Sequence, residues 1–304
     1  MDLPNIPNQE VKLPELEEKQ VRLFVKREDK IHPLLSGNKY RKLKYNLQMA
    51  KSEGHHTLLT FGGAFSNHIV ATAYAGKDSG FKTIGVIRGE EWTNAWKENP
   101  SLSLANRYGM KFYCISRARF QQKKDPQFLK ELKKRFGSFY LIPEGGTNSL
   151  AVKGCEEILT QTDLHFDYIC TCVGTGGTIA GLINSSTIHQ TVLGFPALKG
   201  NFLREDIYTF VKKDNWNLIS DYHFGGYAKV NKSLIQFINE FRQKTQIPLE
   251  PIYTGKMMFG IMDRIKKGFF EPSSQILAIH SGGLQGIKGM NSLLRRKNLP
   301  ELDV

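Results

Sequence analysis

The chain has 304 residues, of which 40% are hydrophobic and 23% are charged, a composition typical of a globular protein and not of a disordered one. Its length suffices for one large or two medium domains of about 100–200 residues each, with a core that needs no disulfide or metal. The net charge of +13 would suit phosphate or nucleic acid, but the positive residues concentrate in helical runs such as 123–135, without an RNA-binding or zinc-finger motif. We therefore expect a solvated basic surface and no nucleic-acid partner.

The sequence also bears on the compartment. The first 20 residues show no apolar segment of the kind that marks a secretory signal. The longest stretch without Asp, Glu, Lys or Arg, residues 168–198, is long enough for a bilayer, but glycines, an Asn-Ser-Ser run and a proline interrupt it. We expect it to form strand, glycine turn, helix and strand in a soluble core. Four cysteines without a CxxC spacing predict free thiols in the cytoplasm, and we expect no membrane partner and no metal ion.

Apolar runs and helical periodicity predict strands and helices that alternate along the chain. The predicted strands cover residues 57–62, 82–88, 111–115, 139–142, 168–173, 191–195 and 275–280. The predicted helices cover residues 67–75, 100–108, 126–136, 150–159 and 179–184. This alternation indicates an α/β fold with parallel sheets. Because residues 45–149 contain several strand–helix units of their own, we predict a small α/β domain there, inserted into a large domain made of residues 1–44 and 150–304.

Three glycine-rich turns follow predicted strands, at residues 62–68 (GGAFSNH), 174–178 (GTGGT) and 280–283 (HSGG). Ligands bind at the carboxyl ends of strands in open parallel sheets, and a helix start offers free N–H groups to an anion. GTGGT is the best candidate for a phosphate cradle. It is not a P-loop, because no Lys-Ser or Lys-Thr follows, and it lacks the third glycine of a dinucleotide fingerprint. A tight strand-to-helix connection without a ligand is the alternative.

Lys39 lies in the segment SGNKYRKL. Asn38 is predicted to cap a helix, which would place Lys39 in the first turn. The helix dipole, Arg41 and Lys42 would all disfavour a charged ammonium, and a lysine with a lowered pKa forms Schiff bases more readily. On these residues alone, an exposed helical lysine is the alternative.

Seven motifs follow one another between about residues 20 and 295: SGNKYRKL, GGAFSNH, PEGGTN, GTGGT, GGYA, YTGK and HSGG. With them the chain resembles the family of 1-aminocyclopropane-1-carboxylate deaminase and D-cysteine desulfhydrase, within the fold-type II pyridoxal-phosphate enzymes. The resemblance implies two α/β domains with parallel or mixed sheets, as in the tryptophan synthase β-like fold. It also implies pyridoxal 5′-phosphate as the cofactor, a small amino acid as the substrate, and a homodimer.

The resemblance further implies roles for the residues that match the motifs. Lys39 resembles the lysine that binds the cofactor covalently and moves the substrate proton, and Asn67 the residue that bonds the 3′ oxygen of the cofactor ring. Ser66 resembles the substrate-carboxylate site, and Tyr227 and Tyr253 resemble two tyrosines on the substrate side. The phosphate would meet a backbone nest and not a lysine. This nest would consist of Gly174, Thr175, Gly176, Gly177 and Thr178.

Three positions depart from the family pattern, and one of them, Ser36 in place of the first glycine of the lysine motif, is expected to be benign. Phe65 stands where the family has a glutamine, so one polar contact to the substrate is lost. Thr254 stands where the cyclopropane-opening branch has a glutamate beside the ring nitrogen, and Ser281 matches a hydroxyl residue that faces this nitrogen. Neutral partners would leave the nitrogen largely unprotonated, which suits β-elimination better than ring opening. Tyr227 could instead be a core residue, and Ser281 only a helix cap.

The resemblance thus implies a pyridoxal-phosphate lyase that releases pyruvate, ammonia and sulfide from a small D-amino acid such as D-cysteine. The first alternative is 1-aminocyclopropane-1-carboxylate deaminase, which forms 2-oxobutanoate and ammonia. The second alternative is a cofactor-binding protein with little catalysis, because Phe65 could spoil the substrate site.

Overall fold

A computed structural model describes residues 6–32, 35, 37–200 and 202–303. The first residue of SGNKYRKL and the two extreme ends of the predicted large domain lie outside the described residues. The described residues form ten β-strands: β1 (Asn8–Val11), β2 (Arg22–Lys26), β3 (Thr57–Gly63), β4 (Lys82–Arg88), β5 (Lys111–Ile115), β6 (Tyr140–Ile142), β7 (Tyr168–Val173), β8 (Thr191–Pro196), β9 (Trp216–Leu218) and β10 (Gln275–Ile279).

The same residues form thirteen α-helices, which mostly alternate with the strands. They are α1 (Pro14–Glu18), α2 (Asn38–Ser52), α3 (Asn67–Asp78), α4 (Trp92–Ala95), α5 (Pro100–Arg107), α6 (Arg117–Gln121), α7 (Pro126–Phe136), α8 (Ser149–Glu156), α9 (Gly177–Ser185), α10 (Phe202–Tyr208), α11 (Lys232–Thr245), α12 (Thr254–Lys266) and α13 (Ile287–Arg296). All seven predicted strands and all five predicted helices are confirmed, with small shifts at their ends.

The strands form two separate sheets. The larger sheet has the order β1-β2-β10-β7-β8-β9 and is parallel throughout except for the antiparallel pair of β1 and β2. The smaller sheet has the order β5-β4-β3-β6 and is entirely parallel. This architecture confirms the predicted α/β fold with parallel and mixed sheets. The domain boundaries at 44/45 and 149/150 stay predictions, and α2 continues across the first of them.

Both faces of the larger sheet are covered by helices, which explains why its central strands are mostly apolar. In β10, Ile276 and Ala278 pack into a cluster with residues of α11 and α12. Leu277 and Ile279 point to the opposite face and pack with residues of α9. Because successive side chains alternate between faces, a strand buried on both faces is apolar at most of its positions.

The long uncharged stretch 168–198 forms β7, α9 and β8, as predicted. Among the described residues, no helix is both long enough and apolar enough to cross a membrane. All four cysteines are free thiols.

Candidate active site

The carboxyl ends of strands from both sheets border one cleft of about 210 Å³. The larger sheet contributes the turns after β7 and β10, and the smaller sheet contributes the turn after β3 and the end of β4. Ten of the twelve predicted site residues line this cleft: Lys39, Ser66, Asn67, Gly174, Thr175, Gly176, Thr178, Tyr227, Tyr253 and Ser281. The remaining two, Gly177 and Thr254, lie directly behind its wall and are described below.

Lys39 lies in the first turn of α2, but the cap of this helix differs from the prediction. The N-cap residue is Gly37, with φ of 59°, and no side chain caps the helix. A Cβ on Gly37 would lie 1.9 Å from the carbonyl oxygen of Ser281, so only glycine fits this close approach. The predicted cap Asn38 is wrong: its side-chain amide donates instead to the hydroxyl of Thr178 at 2.8 Å. This bond joins the start of α2 to the GTGGT turn.

Burial in the cleft lowers the pKa of Lys39. This direction agrees with the predicted lowering of the pKa. The positive charge of Arg41, which was predicted to contribute, is offset, because its guanidinium forms two hydrogen bonds to the carboxylate of Glu28, at 3.0 and 2.8 Å. Desolvation of the ammonium is therefore the main reason why Lys39 is prepared to act as a neutral amine.

The GTGGT turn closes tightly around the start of α9. Gly176 is the N-cap residue of α9 in a left-handed conformation, with φ of 82°. A Cβ on Gly177 would lie 2.9 Å from the hydroxyl of Thr147 and 3.1 Å from the ammonium of Lys42. The space beside the helix start is therefore kept open by glycine and is edged by groups that can bind an anion.

Lys42 is a functional candidate that the sequence reasoning missed. Its ammonium donates to the carbonyl of Gly145 at 3.1 Å and to the hydroxyls of Thr147 and Thr175 at 2.9 and 3.4 Å. A lysine therefore lies against the GTGGT turn, and a phosphate site made of backbone groups alone stays a prediction. Burial and the charge of Lys39 lower the pKa of Lys42 to about 7. Its position three residues after Lys39, on a neighbouring part of the helix surface, was the available signal.

Ser66 and Asn67 form the start of α3 on the side of the smaller sheet. Ser66 caps this helix, and its hydroxyl accepts a hydrogen bond from the backbone N–H of His68 at 3.2 Å. The side-chain oxygen of Asn67 accepts from the amide of Gln285 at 3.3 Å. The adjacent Phe65 is 46% exposed and packs edge-to-face on Trp92, with ring centres 5.8 Å apart, so its ring does not line the cleft.

His68 is buried and has a defined tautomer. The hydroxyl of Thr60 donates to the carbonyl of Ile142 at 2.8 Å, so it must accept the hydrogen bond that joins it to Nε2 of His68, also at 2.8 Å. Nδ1 of His68 is therefore an acceptor, and it has no partner among the described residues. Burial and the two lysines, Lys39 and Lys42, lower the pKa of His68 well below its usual value, so it is a neutral acceptor.

Tyr227 and Tyr253 lie on the opposite side of the cleft. Their rings are 6.1 Å apart in an edge-to-face arrangement, and burial raises the pKa of both hydroxyls, so both stay protonated near neutral pH. A Cβ on Gly174 would lie 3.3 Å from the hydroxyl of Tyr253, which places this hydroxyl beside the GTGGT turn.

The loop that carries Tyr227 is held by a buried lysine of the YTGK motif. The ammonium of Lys256, in α12, donates to the carbonyls of His223 and Gly226 at 2.9 and 2.8 Å. Because α12 also begins next to Tyr253, this lysine fixes the two tyrosines relative to one another.

Ser281 lines the cleft, and its hydroxyl lies 3.2 Å from the thiol of Cys172. Thr254 is buried behind the wall, where its hydroxyl lies 3.2 Å from the carboxylate of Glu250. This carboxylate accepts hydrogen bonds from the backbone N–H groups of Ile252, Tyr253 and Thr254 at 2.6–2.8 Å. Burial raises the pKa of Glu250. The sequence reasoning missed Glu250, although an acidic residue just before a helix is a recognisable signal.

The site meets the requirements of pyridoxal 5′-phosphate. Lys39 supplies a buried amine of lowered pKa for the aldehyde. The cradle at Gly177, which a Cβ would fill, and the ammonium of Lys42 suit the phosphate, with about −2 charge. The residues present therefore fit this cofactor.

Comparisons with known proteins agree with this geometry. Residues 2–189 match the model of the family described as "Pyridoxal-phosphate dependent enzyme". A Pyrococcus abyssi protein named "Putative 1-aminocyclopropane-1-carboxylate deaminase" is 33% identical over 88% of this chain and 86% of its own length. The mitochondrial "Bifunctional D-cysteine desulfhydrase/1-aminocyclopropane-1-carboxylate deaminase" of Arabidopsis thaliana is 28% identical over 94% of this chain and 75% of its own length.

A solved structure described as the "ACC deaminase homologue" superposes with a TM-score of 0.82 at 29% identity, over 96% of this chain and 95% of that chain. The fold, the buried lysine and the cradle thus agree with the family match. The chain belongs to the pyridoxal-phosphate-dependent enzymes.

Proposed function

We propose that this protein is a lyase that cleaves the β-substituent from a small D-amino acid, with D-cysteine as the reference substrate. D-cysteine and water would give pyruvate, ammonia and hydrogen sulfide. The bonds that break are the Cα–H and Cβ–S bonds of the substrate, and water finally releases the amino group as ammonia.

The residues of the cleft suit these steps. When bound, pyridoxal phosphate supplies an electron sink for the negative charge that develops at Cα. Ser66 and the free N–H groups at the start of α3 would bind the substrate carboxylate. Nζ of Lys39 would remove the Cα proton, since burial keeps this amine neutral at a less alkaline pH than usual. Tyr253, protonated beside the GTGGT turn, would donate a hydrogen bond or a proton on the opposite side.

The observation that supports elimination over ring opening is the lack of a free carboxylate in the cleft. Among the described residues that line it, Glu144 is the acidic one, and it pairs with Lys123 at 3.2 Å. Glu250 lies behind the wall, with its oxygens engaged by three backbone N–H groups. Ser281, which lines the cleft, would then face the ring nitrogen of the cofactor with a neutral hydroxyl. Elimination tolerates such a neutral partner better than ring opening does.

A second candidate is 1-aminocyclopropane-1-carboxylate deaminase. The names of the relatives favour it, because both named proteins carry this activity in their names. The third reading, a cofactor carrier with little catalysis, rested on Phe65. The exposed position of Phe65 outside the cleft argues against this reading, because the ring leaves the substrate space open.

The decisive experiment is a keto-acid assay of the purified holoenzyme with D-cysteine, L-cysteine, D-serine, β-chloro-D-alanine and 1-aminocyclopropane-1-carboxylate. We expect pyruvate and sulfide from D-cysteine at a higher kcat/KM than 2-oxobutanoate from the cyclopropane. The reverse order would make the protein a deaminase. A holoenzyme that shows the visible absorbance of bound cofactor but turns over none of the five compounds would support the carrier reading.

We also propose that the protein works in the cytoplasm as a homodimer. Four free thiols support a reducing compartment, and the family resemblance supports the dimer. Light scattering of the holoenzyme at micromolar concentration tests the dimer, since a monomeric mass would contradict it.

A further inference from the structure

A second cavity, of about 480 Å³, lies beside the cleft and shares three lining residues with it: Gly63, Arg88 and Glu144. Aromatic rings line much of this second cavity, which we call the antechamber; they belong to Phe65, Trp92 and Phe120. A ligand held in the cleft can therefore extend past Gly63, which has no side chain to block it, into a partly apolar space.

The antechamber contains five charged side chains, and four of them are paired. Arg117 pairs with Glu91 at 2.5 Å, and Lys123 pairs with Glu144 at 3.2 Å. Arg88 is the fifth, and among the described residues its guanidinium has no hydrogen bond and no carboxylate partner. It lies over the ring of Phe120, 5.7 Å from the ring centre. The antechamber therefore carries one uncompensated positive charge, and that charge is located on Arg88.

The position of Arg88 places this charge at the boundary between the two cavities. Arg88 ends β4 and pairs in register with Gly63, the last residue of β3. Its Nη2 would lie 3.4 Å from a Cβ on Gly63. Burial raises the pKa of the Tyr227 hydroxyl, whereas the charge of Arg88 acts in the opposite direction, so Arg88 influences the substrate side of the cleft.

We propose that Arg88 selects amino acids whose side chain ends in a carboxylate, which it would bind at the boundary of cleft and antechamber. This inference rests on the proposed function, since it names the substrate class of the same site. A guanidinium presents two parallel N–H groups that match a carboxylate, and such charge-assisted bonds are among the stronger ones in proteins. Ser66 and the start of α3 would hold the α-carboxylate, and Arg88 would hold the second carboxylate.

The test compares two β-substituted alanines of nearly equal shape. S-carboxymethyl-D-cysteine ends in a carboxylate, and S-carbamoylmethyl-D-cysteine ends in a neutral amide. With one water, elimination converts the first to pyruvate, ammonia and mercaptoacetic acid, and the second to pyruvate, ammonia and mercaptoacetamide. Because Arg88 is exposed and water screens its charge, we expect the holoenzyme to prefer the acid by about two- to fivefold in kcat/KM, and to bind it more tightly in isothermal titration.

Arg88→Gln should abolish this preference. Arg117→Gln is the matched control, because it removes the same charge from the same cavity at a paired arginine, and it should retain the preference. Equal binding of acid and amide by the wild-type protein would overturn the inference even if D-cysteine is a good substrate. If the protein turns over none of these amino acids, the proposed function fails, and the binding comparison of wild type with Arg88→Gln still decides the role of Arg88.

Discussion

The cofactor side and the substrate side of the cleft are built differently. On the cofactor side, Lys42 is only 2% exposed and is surrounded by hydroxyl and carbonyl oxygens from distant parts of the chain. On the substrate side, Arg88 has no polar partner among the described residues, and Phe65, which lines the adjoining antechamber, is 46% exposed. A change on the cofactor side, which is the buried side, disturbs several contacts at once. A change on the more exposed substrate side alters which substrates can bind. We therefore expect changes on the buried side to alter the reaction, and changes on the substrate side to alter the choice of substrate.

Lys39→Ala should have the largest effect, because it removes the amine proposed both to bind the cofactor and to move the proton. We expect the visible absorbance of lysine-bound cofactor to disappear and kcat to fall by about 10²–10⁴-fold or more, with the fold retained. Absorbance spectra, activity and circular dichroism measure the three outcomes.

Lys42 is the alternative site for covalent attachment of the cofactor, since it is also a buried lysine with a lowered pKa. Borohydride reduction of the holoenzyme, followed by peptide mapping, should place the cofactor on Lys39. Finding it on Lys42 would exchange the roles assigned to the two lysines.

Lys42→Met should weaken cofactor binding by about 1.5–3 kcal/mol, or roughly 10- to 150-fold in Kd, because it removes the ammonium that we propose would bind the phosphate. The measurement uses 4′-deoxypyridoxine 5′-phosphate, which has no aldehyde and therefore reports on non-covalent binding without the bond to Lys39.

The pKa of Lys42 also predicts the pH dependence of this binding. Burial lowers the pKa from 10.5 to about 7 in the cofactor-free protein, and a bound phosphate would raise it again. Above pH 7, binding must then take up a proton, so the affinity should fall by up to about tenfold per pH unit. In Lys42→Met this dependence should vanish. An unchanged slope in that variant would assign the titration to another group.

The elements around the site show what a sequence can and cannot predict. β3 and β7 were predicted because both are continuous apolar runs that end in glycine turns. β2 was not predicted: its last residue, Lys26, is a buried cation whose partner Asp163 lies 137 residues away, at 2.7 Å. β9 has only three residues and therefore no readable period.

The site shows the same limit. Motif order placed ten residues on one cleft, because each motif lies at a strand end or a helix start. Lys42 was missed since its partners, including Thr147, are 103–133 residues away in the chain. The cap at Asn38 was wrong because a distant residue, Ser281, decides which residue fits at position 37. Local patterns predict local geometry, and contacts across the fold decide the rest.

Lys256→Met should have an intermediate effect, because it releases the loop of Tyr227 without touching the phosphate cradle. We expect kcat/KM to fall by about tenfold while the cofactor absorbance is retained, since a loosened loop misplaces a group that must be aligned. Lys266→Met, an exposed lysine on the same helix, is the control. Equal losses in both variants would mean that Lys256 does not position Tyr227.

Thr254→Val should have the smallest effect, and this effect should be a lower free energy of unfolding. The hydroxyl of Thr254 accepts from the N–H of Glu250 at 3.1 Å and lies 3.2 Å from its carboxylate, so its loss should lower the free energy of unfolding by about 1–3 kcal/mol. Thr254→Ser retains the hydroxyl and is the matched control. Denaturant unfolding measures the stability of both variants.

The same pair of variants tests the proposed place of Thr254 beside the cofactor ring. If Thr254 acts only behind the wall, through Glu250, the ratio of D-cysteine to cyclopropane turnover should be the same in Thr254→Val and Thr254→Ser, whatever the stability. A ratio that shifts in Thr254→Val without a loss of stability would instead place the hydroxyl in contact with the ring nitrogen. The balance between elimination and ring opening would then depend on Thr254, a residue of the buried side. This result would support the expectation that the buried side determines the reaction and the substrate side determines the substrate.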